Sequence, residues 1–113
     1  MKEQIEFNEF LEIEKRLEIA TGKVTTVEEI PKADKLIKLT VDFGGDERTV
    51  VTNIKPHLGD ITALEGKEML FVTNLKPAKM MGITSTAMIL PGDEIEKNGN
   101  FITVNGDSGI NIL

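Results

Sequence analysis

The stretch 35–54, KLIKLTVDFGGDERTVVTNI, limits the fold more than any other part of the chain. Ile37, Leu39, Val41 and Phe43 alternate with Lys38, Thr40 and Asp42. A period of two puts the first set on one face, which is the pattern of a half-buried strand. Gly44 and Gly45 supply the positive φ that a tight hairpin needs. RTVVTNI then returns as a second strand, with Arg48, Val50 and Thr52 on one face and Thr49 and Val51 on the other.

The rest of the chain extends this hairpin into a β fold. Residues 4–17 predict a short helix, because Phe7, Phe10, Leu11 and Leu17 recur at helical spacing with glutamates between them. From Ile19, IATGKVTTVEEI is rich in β-branched residues up to Pro31 and predicts a first strand, with Gly22 a candidate bulge. After Pro56, the spacing of Thr62 and Glu65 suits a capping box, so one or two helical turns are expected before Gly66. KEMLFVTNL is apolar on both faces and reads as a buried strand. GITSTAMIL reads as another, closed by Pro91-Gly92. The tail holds Asn98-Gly99 and Asn105-Gly106, both suited to hairpin turns, around a short strand FITV.

These elements predict an all-β chain: a five-stranded OB-fold barrel with a short helix between strands 3 and 4, plus an N-terminal helix and a C-terminal β extension. The 113 residues fit one domain. The expected division is a helix over 1–17, a barrel core over 18–90 and an extension over 91–113. No internal repeat or low-complexity linker breaks it.

Charge narrows the function classes. The net charge is −6, which speaks against general adhesion to nucleic acid or anionic lipid. The distribution is uneven. Residues 1–31 carry four basic and eight acidic side chains, and residues 91–113 carry one basic and four acidic. Residues 32–90 carry eight basic and seven acidic, so the middle holds most of the lysine and arginine. No apolar run reaches the roughly 18 residues of a membrane helix, so no membrane partner is expected. MKEQIEFNEF lacks the basic-then-apolar order of a signal peptide. The chain has no cysteine, which excludes disulfides and thiolate chemistry and is compatible with a reducing, cytoplasmic location.

Catalytic patterns are absent. His57 is the one histidine, and a lone histidine following a proline is far more often a loop or packing residue than a general base. The carboxylates show no metal-binding spacing, and GGDE leads into a strand rather than a helix, so it is a hairpin and no phosphate loop. A binding role fits better. Lys35, Lys38, Arg48, Lys76 and Lys79 come from strands or turns that a small barrel brings to one side. The competing reading is a solvated face balanced by Asp34, Asp42 and Asp46. With five Phe and no Tyr or Trp, few rings are free to stack bases. A nucleic-acid contact would then depend on shape, phosphates and one splayed base.

Several motifs coincide with a known family. IPKADKLIKLTVDFGGDERTVVTNI followed by LEGKEMLFVTNLKPAKMMGITSTAM resembles the tRNA-binding domain of the methionyl-tRNA synthetase C-terminus, over about residues 17–113. Stand-alone structure-specific tRNA-binding proteins, CsaA-type chaperone-like proteins and endothelial monocyte-activating polypeptide share the module. The resemblance implies an oligonucleotide-binding barrel that holds the outside of tRNA with little sequence reading, either as a detached β-type subunit of methionyl-tRNA synthetase or as a stand-alone protein. It implies no catalysis by the module itself, no cofactor and no metal. It places Lys35, Arg48, Ser85 and Met88 on the tRNA face, with Asn53, Lys76 and Lys79 nearby. It also implies a homodimer paired through the N-terminal helix and the tail after Pro91, with an aminoacyl-tRNA synthetase as a further partner.

Three positions depart from the family pattern. Thr86 stands where a glutamate is usual, Ala20 where an arginine is common, and Thr52-Asn53-Ile54 where the family has Ser-Gly-Ile. Two other functions remain open: a CsaA-like peptide binder using Met80, Met81 and Met88, and a protein–protein recruitment module. Met69 is expected in the core. Neighbouring residues of an extended chain face opposite ways, so at most one of Met80 and Met81 should reach a shared pocket.

Overall fold

Strand β1 (Ile19–Glu29) has eleven residues, enough to serve two partners in succession. In the computed structural model, which describes all 113 residues, its second half (Lys23–Glu29) pairs antiparallel with β2 (Ile37–Asp42). Its first half (Ile19–Lys23) pairs on the other side with β4 (Glu68–Val72). The register shifts between Val24 and Thr26, so the irregularity lies there and not at Gly22. Gly22 has a different reason to be glycine. A Cβ at that position would lie 2.7 Å from both Phe43 and Val41.

β2 returns through Gly44 (φ 81°) and Gly45 (φ 100°) into β3 (Glu47–Thr52), as the sequence predicts. The Asp42 carboxylate accepts the Gly45 N–H at 2.7 Å and fixes the turn. With β7 (Met88–Leu90), the five strands form one antiparallel sheet in the order β3-β2-β1-β4-β7. The sheet curls into a half-barrel around Ile37, Leu39, Val41, Val50, Met69 and Phe71, all fully buried. Phe43 packs edge-on against Phe71, with centroids 5.2 Å apart at 81°.

Between β3 and β4 the expected helix is two 3-10 turns, Lys55–His57 and Ile61–Leu64. The cap differs from the expected box. Asp60, not Thr62, is the N-cap, and its carboxylate accepts both the N–H and the hydroxyl of Thr62. Glu65 instead reaches across to accept the Val27 N–H at 2.9 Å, tying the turn to β1.

The single strand expected over GITSTAMIL is broken at Thr86-Ala87. Its first part is β6 (Ile83–Ser85), which forms a hairpin with β5 (Ala78–Met80) in a separate two-stranded sheet. Met81 (φ 50°) and Gly82 (φ 80°) make a two-residue turn with both φ positive. Its second part is β7, hydrogen-bonded to β4. The break lets the chain meet β3: the Thr86 N–H donates to the Thr49 carbonyl at 3.2 Å.

The ends differ most from expectation. Helix α1 (Phe7–Arg16) buries no residue. The tail has no FITV strand. It forms helix α2 (Glu94–Asn98), and Gly99 is the left-handed cap of that helix, not a hairpin residue. The final residues run beside the first half of β1, on the side β2 leaves free. Ile19 N–H donates to Leu113, Thr21 N–H to Ile110, and Gly109 N–H back to Thr21. The β character of the extension reduces to one bridge, Ala20 with Asn111.

Candidate nucleic-acid interface

A groove of about 620 Å³ opens where β3, β5, β7 and α2 meet. The turn after β3 contributes Asn53 and His57; β5 contributes Met80, β7 contributes Met88 and Leu90, and α2 contributes Glu96. Met80 is thus the one of the adjacent methionines that faces a pocket. Met81 sits at the hairpin apex, half exposed. Met69 is fully buried, as expected.

The residues expected on the tRNA face divide into three groups. Asn53 and Met88 line the groove together, although they are far apart in sequence. Lys35, Lys76 and Lys79 are exposed. Lys35 precedes Leu36 and Lys79 precedes Met80, both groove-lining residues. The four ion pairs of the chain are Lys15–Glu12, Arg48–Asp46, Lys55–Glu29 and Lys97–Glu94. None of the three lysines is among them, so their charges are free for a ligand.

Ser85 and Arg48 stand apart from that groove. Ser85 is buried, and its hydroxyl accepts the Val51 N–H at 3.0 Å while donating to the Ala87 carbonyl at 3.2 Å. Its position is structural: it holds β6 to β3. Arg48 lines a second, smaller depression of about 140 Å³ with Phe43, Asp46, Thr73 and Ala20. Its guanidinium bonds Asp46 at 2.9 Å and the Thr73 carbonyl at 2.9 Å, and lies over the Phe43 ring at 5.4 Å. Lys38 is half-buried on β2. The basic residues therefore do not all fall on one side.

Thr86, where the resemblance expects a glutamate, is partly buried, and its hydroxyl has no hydrogen-bond partner. Met80 and Met88 meet as the peptide-binding alternative expected, whereas Glu96 and His57 were not expected beside them. Only the Pro91-Gly92 break hinted that the chain turns back there, and nothing in the spacing revealed the short helix that carries Glu96.

Asp60 has its carboxyl held below the usual range by the Thr62 hydroxyl first and the Thr62 N–H second. It caps a turn and does not line the groove.

Comparison with known proteins identifies the lineage of this architecture. A family model described as "Putative tRNA binding domain" matches residues 19–111. The chain is 39% identical over 92 residues to a methionine–tRNA ligase of Methanocaldococcus jannaschii, covering 81% of this chain and 14% of that enzyme. It is 38% identical over 96 residues to the methionine–tRNA ligase of Parabacteroides distasonis, covering 85% of this chain and 13% of the enzyme. The chain thus spans about one seventh of the length of these curated relatives. Among solved structures, a MetRS related protein from Pyrococcus horikoshii superimposes with a TM-score of 0.82 at 34% identity, over 99% of this chain and 100% of that one. The CsaA chaperone of Bacillus anthracis shares the fold, with a TM-score of 0.72 at 23% identity over 98% of this chain and 100% of that chain. By the extent of the match to its family model, the chain belongs to the tRNA binding domain family.

Proposed function

We propose that the chain binds tRNA through the groove and the lysines around it, and adds that binding energy to a methionine–tRNA ligase, as a subunit or a free-standing partner. The observation that carries this reading is the convergence of Asn53, Met80 and Met88 in one groove, with Lys35 and Lys79 next in sequence to lining residues and without ion-pair partners. Lysines without ion-pair partners are suited to phosphate contact, which positions RNA without reading its sequence. The module works by holding tRNA and carries no catalytic residues of its own. It acts in the cytoplasm, as one domain over residues 1–113.

The ends support a dimer. Phe7, Phe10 and Ile13 recur every three residues on α1 and are exposed by 73%, 40% and 49%. Such a stripe on a helix that buries nothing is suited to a second copy, which would present two tRNA sites and raise avidity. Light scattering should give twice the chain mass, and Phe7→Ser with Phe10→Ser should return the monomer.

The binding test is a salt series with bulk tRNA and an unstructured RNA of equal length. Preference for tRNA, with affinity falling steeply as salt rises, is the expected result. Equal retention of both RNAs at low salt would overturn the reading.

A second reading is favoured by one observation: the thioethers of Met80 and Met88 give the groove flexible apolar walls. These suit an extended apolar peptide. Binding of unfolded protein without binding of tRNA would select it.

A further inference from the structure

Several polar side chains line the groove without a side-chain partner inside the molecule. Asn53, His57 and Glu96 make no side-chain hydrogen bond, and the ion pair and the hydrogen bond on α2 use Glu94 instead. Glu96 is the unexpected one. A carboxylate in an RNA-binding groove repels RNA unless it meets a donor. An ionised carboxylate only accepts, so the complementary group is an N–H.

The groove also has the dimensions and walls for one flat ring. Its volume of about 620 Å³ lies within the range of sites that enclose small ligands, roughly 300–1,000 Å³. Met80, Met88, Leu36 and Leu90 provide apolar sides. Sulfur against an aromatic ring is a favourable contact, which offsets the lack of Tyr and Trp. Lys35 and Lys79 are each next in sequence to a lining residue and exposed, so their charges serve the RNA that carries the base rather than the pocket itself.

We propose that this groove receives one unstacked nucleobase bearing an exocyclic amine, taken from RNA held by the surrounding lysines. Glu96 accepts from the amine, Asn53 reads an adjacent edge atom, and Met80 and Met88 cover the ring. Adenine, cytosine and guanine offer the amine; uracil does not. The inference rests on the RNA-binding reading above and goes beyond it, because it assigns base selection to a site otherwise expected to hold phosphates.

The test measures tRNA binding by fluorescence anisotropy for the whole chain and its Glu96→Ala variant, across a salt series. If Glu96 were only a surface charge, its removal would tighten binding. The expected result is the opposite: affinity falls about three- to tenfold, the loss of one charged hydrogen bond, and the salt slope is unchanged. Cytidine tetranucleotide should displace tRNA at about one fifth the concentration that uridine tetranucleotide needs. With methyl-labelled methionine, tRNA should shift the Met80 and Met88 signals and leave Met69 in place. Wild-type binding with equal or tighter binding by Glu96→Ala overturns this inference and leaves the RNA-binding function standing. Absence of tRNA binding by the wild type overturns both. An apolar peptide that shifts Met80 and Met88 when tRNA does not overturns it in favour of a peptide site.

Discussion

The hydroxyl of Ser85 accepts a hydrogen bond from the Val51 backbone N–H at 3.0 Å, so a side chain closes the seam between β3 and β6 where no strand ladder does. Both residues are buried, and no water can replace the bond cheaply. Ser85→Ala should therefore lower stability by about 1–3 kcal/mol, the cost of a buried N–H left without an acceptor. Urea unfolding measures this. A midpoint equal to wild type would show that the seam does not need the hydroxyl.

Arg48 is held at three points: the Asp46 carboxylate, the Thr73 carbonyl and the Phe43 ring. Its loss should affect stability as well as binding. Arg48→Ala is expected to cost about 1–2 kcal/mol. Arg48→Lys should restore the charge but not the stability, since an ammonium does not reproduce the forked geometry. Thermal unfolding of both variants decides the point.

The free lysines should behave differently. Lys35→Ala, Lys76→Ala and Lys79→Ala leave no partner behind, so unfolding midpoints should stay near wild type. Each should reduce the slope of log affinity against log salt by about 1. Anisotropy at four or more salt concentrations gives the slope.

Gly109 and Gly59 form a matched pair. At Gly109 (φ 80°) an added Cβ would lie beside the Phe43 carbonyl, inside any allowed contact. At Gly59 nothing lies within 4 Å of it. Gly109→Ala should cost about 2 kcal/mol or more through strain and displacement of the tail, whereas Gly59→Ala should be neutral within about 0.5 kcal/mol. Chemical denaturation of the two side by side is sufficient.

Asp60 predicts a pH dependence. Its folded carboxyl is held below its usual range by the Thr62 hydroxyl and N–H. The fold favours the charged form, so the stabilisation is present above the unfolded carboxyl's titration and is lost as pH falls through the lowered folded value. The gap in urea midpoint between wild type and Asp60→Ala should be present at neutral pH and narrow in acid.

The strands that alternate were legible because burial alternates with them. Ile37, Leu39 and Val41 point inward and Lys38, Thr40 and Asp42 outward, as the spacing required. Along β3 the pattern misleads: Val50, Val51 and Thr52 are all buried, although strict alternation would turn one of them outward. The split of GITSTAMIL was hidden for a related reason. A hairpin arm and a sheet strand have the same composition, and only the distant carbonyl of Thr49 separates them. Gly99 was read as a hairpin residue because a left-handed glycine serves helix ends and hairpins alike. On the candidate interface, charge and position in the chain pointed to Lys35, Lys76 and Lys79, and the motif resemblance added Asn53 and Met88 to the RNA face. The seam role of Ser85 depends on Val51, 34 residues away, and the third anchor of Arg48 on Thr73, 25 residues away, contacts that no local pattern encodes.

The tail that lies against β1 also sets the order in which the molecule is completed. The Ile110 N–H reaches the Thr21 hydroxyl across 89 residues of intervening chain. Loops of that span close late and slowly. On a ribosome, β1 would wait for its flanking segment until all the strands and helices between them had been synthesised. Meanwhile half of one of its edges would stay open to other strands, so the interval between synthesis and closure is when this chain is most exposed to mispairing.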